Sequence, residues 1–296
     1  MDWYPGPDED LLIRTPATFA TGLAPAVAGC RWFRDTGRHD IQGDLPNWPT
    51  APAFTLRSTS DRAARRTGRA LLVGIPLILN VIAGAGSAVG SPFGGVPTRG
   101  NPEERENEVE DFPVMWAAPG TVARTVPWQL DPSRRPDRYA TDAVLTDRRL
   151  VFLGNQQASL SKADELWEVP RKDIAGARQM KFSEIGGDVR LTFADGSWIR
   201  LFAGSPESAG RLAQLINGSI HALTEADLTE GRRYRVRDFR QELPKGAEPP
   251  TFTLLKSGTV QVECRVPAKA GQGRVETHSI LMSPSGGPAK PKPGDL

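Results

Sequence analysis

Residues 189–202 read VRLTFADGSWIRLF, two runs of alternating character on either side of Asp195-Gly196. Alternation at period 2 is the pattern of a strand with two different faces, and Asp-Gly between two such runs is a hairpin turn. Val189, Leu191 and Phe193 share one face of the first strand. In the second, Trp198, Arg200 and Phe202 lie on one face and Ile199 and Leu201 on the other, so alternation alone leaves the buried face open. Directly afterwards, Ser205-Pro206-Glu207 supplies an N-cap, a first-turn proline and a first-turn acid. Leu212, Leu215, Ile216, Ile220 and Leu223 then recur every three to four residues, which predicts an amphipathic helix.

Outward from this hairpin and helix, the same texture of short runs and turns begins at Phe112. Strands are expected over 114–118, 121–128, 139–146, 149–154, 166–169 and 174–182, with a polar loop QLDPSRRPDR at 129–138. Beyond the helix, YRVRDF (234–239), the hairpin TFTLL-KSG-TVQVECRV and a strand over 275–282 form a small β-rich appendage, 225–283. The tail, 284–296, has almost nothing apolar to bury and is expected to be disordered. Upstream, LLIRTPATFA (11–20) could add a strand, which Pro16 confines to a sheet edge. The rest of 1–61 mixes Trp32, Phe33, Trp48 and Phe54 with Pro46, Pro49 and Pro52 and reads as irregular.

Composition narrows the function. The chain has 296 residues, with 30 Gly and 26 Pro, a loop-rich balance that argues against a helical bundle. Its 37 basic and 35 acidic residues leave a charge of +2, so there is no global field of the kind that binds nucleic acid. Cys30 and Cys264 are too far apart in sequence to make a zinc knuckle or a disulfide framework. Three histidines (His39, His221, His278) have no companion motif, and no serine sits in a G-x-S-x-G elbow. No catalytic residue, metal ligand set or cofactor is therefore expected. Because the basic residues are mostly arginine, the mark of a GC-rich genome, a single arginine carries little functional weight.

One feature stands apart: 21 uncharged residues run from Ala70 to Gly90. That length suits a transmembrane helix, and Arg62, Arg65, Arg66 and Arg69 before it with EERENEVED after it give the asymmetry that orients one. The other reading buries 70–90 in a soluble core, broken at Asn80. Gly84, Gly86 and Gly90 resemble a dinucleotide-binding loop, but Pro92 and the glycines after it remove the helix such a loop needs. The span 62–111 thus comprises a basic flank, the apolar Gly-rich segment and an acidic Gly/Pro linker. Positive-inside logic would put 112–296 outside the cell; a re-entrant turn near Asn80 would keep both flanks inside, with arms too short to span.

The run AVLTDRRLVFLG, then LWEVPRKDIAGARQ, the VRLTFADGSWIRLF hairpin and the closing helix together resemble bacterial pleckstrin-homology-like domains, including the GRAM type, over residues 112–223. The most specific piece is Leu145–Leu150, LTDRRL. The resemblance implies a bent antiparallel barrel plugged by its C-terminal helix, with 112–224 as the domain. It also implies binding rather than catalysis. In this family the first interstrand loop often holds basic residues that bind phosphoinositides. Here that place carries Arg134, Arg135 and Arg138, with Trp128 at its entrance; the alternative is a solvated Arg/Pro loop.

The expectation is thus a mainly β chain with one C-terminal helix, a pleckstrin-homology-like barrel, an apolar Gly-rich segment and low-order flanks. Its function would be non-enzymatic docking, on anionic lipids at the inner membrane surface or on a protein partner. The alternative is a soluble cytoplasmic scaffold with 70–90 in its core.

Overall fold

The computed structural model describes residues 3–22, 32–50, 113–136, 139–156, 163–180, 187–267, 275–292 and 295. The Asp195-Gly196 turn forms as read. Asp195 accepts hydrogen bonds from the Ser197 backbone N–H (2.9 Å) and hydroxyl (2.6 Å), and Gly196 takes φ +83°, where a side chain would be strained. The turn joins β9 (Asp188–Phe193) to β10 (Trp198–Phe202), with Trp198 opposite Thr192. Both faces of β10 are buried from Trp198 to Leu201. The Trp198 ring is covered by Trp116, stacked at 6.1 Å, and by Arg190, its guanidinium 5.1 Å from the ring centre.

Around this hairpin one sheet runs β3 (Phe33–Arg34), β4 (Met115–Trp116), β10, β9, β8 (Ile174–Met180), with β2 (Thr18–Phe19) also on β10. A second runs β1 (Leu11–Pro16), β5 (Tyr139–Thr146), β6 (Arg149–Gln156), β7 (Ala163–Pro170). Leu145, Leu150 and Phe152 of the second sheet pack with Val189, Leu191, Phe193, Ile199 and Leu201 of the first in one core. Helix α1 (Pro206–Ile216) closes it with Leu212 and Leu215, packed on β8 and β9. The Ser205 hydroxyl caps α1 by accepting from Ser208 N, as the sequence predicts. At the other end, Asn217 bonds both the N–H and the C=O of Ala177, tying the helix to β8.

The C-terminal part has a core of its own. β11 (His221–Leu223), β12 (Thr251–Leu254), β13 (Val260–Pro267) and β14 (Val275–Met282) form a meander. A second helix, α2 (Glu230–Glu242), lays Val236 and Phe239 on it. β13 alternates strictly: Val260, Val262 and Cys264 belong to the α2 core, leaving Gln261, Glu263 and Arg265 for the opposite face.

Four expectations are corrected. The single bent barrel is not what forms: among the described residues there are fourteen strands in three sheets, and no sheet closes. The reason is that β1–β4 extend both sheets at their edges, while β7 and β8 are joined by a short turn without pairing. The one expected helix is two, since 234–239 lies in α2.

The flanks are not of low order where they are described. Aromatic residues from 19 to 48 enter the main core. In the tail, the Asp295 carboxylate accepts from the Ser257 N–H (3.0 Å) and hydroxyl (2.8 Å). Gly286, at φ +94°, sits so close to the start of α2 that a Cβ would lie 2.6 Å from Gly231 backbone.

The transmembrane helix is corrected as well. Among the described residues no helix is long and apolar enough to cross a membrane, the two helices having 11 and 13 residues against about 20 for a span. Residues 70–90 themselves lie outside the described residues.

Candidate functional site

Within the described part of the arginine loop, Arg134 is turned inward. Trp128 is half-buried in a single turn after Pro127. Arg134 pairs with Asp131, both side chains almost wholly enclosed. Its guanidinium also lies 5.6 Å from the Phe33 ring centre and 5.1 Å from that of Trp48, and Nε donates to the Pro49 carbonyl. Arg135 donates to the Thr141 hydroxyl at 3.0 Å, and burial pulls it below the ordinary arginine value. The structure thus brings Arg134 together with the N-terminal aromatics Phe33 and Trp48. Arg138 and the flank Arg62, Arg65, Arg66 and Arg69 lie outside the described residues.

The LTDRRL run clamps the N-terminal arm. Thr146 Oγ1 accepts from the Arg149 N–H and donates to Glu9 at 2.6 Å; Glu9 also receives Arg149 Nε at 2.8 Å. The Arg149 hydrogen bond, opposed by burial and reinforced by Thr146, holds the Glu9 carboxyl down from 4.5 to about 2. A depressed folded-state value stabilises the fold fully above the unfolded value and loses that contribution as pH falls towards 2. Glu9→Gln should therefore cost about 1–3 kcal/mol at neutral pH. The urea midpoints of the two proteins should converge as the pH drops from 4.5 towards about 2.

Between the two cores runs a cleft of about 250 Å³, walled by β1, the first turns of α1, and the polar face of β13 with its neighbours. One wall is a buried charge cluster. Asp142 receives Arg14 Nε (3.0 Å) and Arg265 Nη1 (3.1 Å), and Arg14 Nη1 also reaches Glu248 at 3.0 Å. All four side chains are at most 17% exposed. Burial alone would push the Asp142 carboxyl upward, but Arg265 and Arg14 outweigh it and hold it below the usual carboxylate range. On the other wall Arg211 pairs with Glu263 through Nη2.

Besides Arg14 Nη2, which lies 2.9 Å from the Asp142 carboxylate, two polar atoms in the cleft walls remain unsatisfied. Arg211 Nε, a donor, and Gln261 Oε1, an acceptor, are buried without a hydrogen-bond partner among the described residues. Such groups cost free energy until something pairs them. The lining residues carry as many arginines (14, 211, 265) as glutamates (207, 248, 263), together with hydroxyls from Ser205, Ser208, Thr251 and Thr277.

Reactive groups do not gather here. Burial pushes the Cys264 thiol up to about 11, so it is protonated and a poor nucleophile at neutral pH. Among the described residues no three His, Cys, Asp or Glu side chains come together where they could hold a metal ion. The cleft was not legible from sequence, because its walls come from three separate segments, of which β1 lies about 190 residues before α1. The one local sign was the polar half of the β13 alternation. No family model, no curated protein and no solved structure matches this chain.

Proposed function

We propose that the chain is a non-enzymatic binding protein that takes a short extended peptide segment of a protein partner in the cleft between its two cores. The observation that carries this is the unpaired pair of buried atoms, the Arg211 Nε donor and the Gln261 Oε1 acceptor. A peptide unit offers one C=O and one N–H, the complement of such a wall. The balance of arginine and glutamate favours a ligand without strong net charge, since either sign would meet repulsion as well as attraction.

The test is to select peptides from a random displayed library on the full chain and to measure the selected peptides by calorimetry. Gln261→Leu, which removes the acceptor at similar volume, should weaken them about tenfold. Arg211→Met should weaken them further, because it also removes a charge. Peptides that bind the wild type and both variants equally would place the site elsewhere and overturn the reading.

A further inference from the structure

Helix α2 carries five arginines in 13 residues, and the fold sorts them. Arg232 is turned inward, donating to the carbonyls of Ser283 (3.0 Å) and Gly258 (2.9 Å). Arg235 is paired with Asp238 along the helix. Arg233, Arg237 and Arg240 remain, all exposed, at positions i, i+4 and i+7 of one stripe about 10 Å long. Arg233 and Arg237 have no carboxylate partner among the described residues. Arg240 reaches Glu225 only at 4.0 Å, with both side chains about half exposed, a contact worth little in water.

Beside them stands Tyr234, 65% exposed, one of two large hydrophobic side chains so open among the described residues. The Arg237 guanidinium lies 6.0 Å from its ring centre. An exposed tyrosine flanked by unpaired arginines, on a helix whose other face is fixed to a sheet, matches the headgroup level of a bilayer. There the ring is half-wet and the cations face lipid phosphates.

We propose that this outer face of α2 docks on a bilayer containing anionic lipid. The site lies outside the residues that resemble the pleckstrin-homology-like family. It also lies on the opposite side of β13 from the cleft, so a docked bilayer leaves the cleft open. Each arginine near the surface contributes about fivefold in affinity.

Sedimentation of the full chain with phosphatidylcholine vesicles, with and without about 30% phosphatidylglycerol, reads the effect directly. The wild type should bind the anionic vesicles alone, and less as salt rises from about 0.05 to about 0.3 M. Arg233→Gln with Arg237→Gln should lose about 30-fold, whereas Arg233→Lys with Arg237→Lys, which keeps both charges, should stay within about twofold. Both pairs are exposed, so thermal unfolding should be unchanged. Failure of the wild type to bind, equal binding to uncharged vesicles, or full binding by the Gln pair would each overturn the proposal. So would loss of binding in the Lys pair, or tighter binding to a short DNA duplex at the same salt.

Discussion

Replacing Asp142 by asparagine should destabilise the protein by about 3–5 kcal/mol, the range seen when one partner of a buried ion pair is removed. Asparagine nearly matches the aspartate in volume, so packing changes little and the effect is electrostatic. Arg14 and Arg265 would be left enclosed with only Glu248 between them. The effect has a pH signature. Asp142 titrates below its ordinary value in the folded protein, so its contribution is complete above an unfolded value of about 3.9 and disappears as pH falls below it. Denaturant midpoints of wild type and variant should differ by a constant amount from neutral pH to about pH 5 and draw together below about pH 4. A loss under about 1 kcal/mol would mean that water reaches the cluster and that the pairs behave as surface contacts.

The second large effect concerns the N-terminal segment. Phe33 is fully buried, its ring edge-on to Phe19 at 5.4 Å and to Trp48 at 5.1 Å, with Arg134 over it at 5.6 Å. Phe33→Ala should cost about 3–5 kcal/mol, because the ring's transfer free energy is lost and a cavity is left behind. Tyr4, 63% exposed, is the internal comparison, and Tyr4→Ala should change stability by no more than about 0.5 kcal/mol. Similar midpoints for the two variants would show that the N-terminal aromatics do not belong to the main core.

What could be read in advance was local. The β9–β10 hairpin announced itself because alternation, the Asp-Gly turn and the helix cap all fall within 20 residues. Helix α1 was legible from Ser205-Pro206-Glu207 and its leucine stripe. Helix α2 was not, because five arginines dilute its apolar face to Val236 and Phe239. The signal that could have found it was Thr229, whose hydroxyl accepts from Arg232 N, followed by Glu230 and, at the far end, Leu243-Pro244.

Strands β3 and β4 have two residues each, too few for any periodicity, and pair across 82 positions. The direction of Arg134 was equally hidden. Nothing within QLDPSRRPDR indicates that Phe33 and Trp48, some 90 residues upstream, will cover it. Arg14 and Glu248, 234 positions apart, meet only because β1 and β12 are brought side by side.

The joint between the two cores includes guanidinium–carboxylate contacts, and this bears on how the chain is made. Strands β1–β10 and α1 all precede residue 217, so on a ribosome the main core can complete before the last sheet has emerged. The surface it leaves waiting holds Arg14, Asp142 and Arg211, groups that water solvates well, so the half-made protein presents no sticky face to its neighbours. In the C-terminal sheet β12, β13 and β14 then follow one another directly, a topology of short-range contacts. Its Glu248, Glu263 and Arg265 are accepted only where their partners stand at the right angle. Assembly is thereby ordered in time, and the last step is selected by geometry instead of by stickiness.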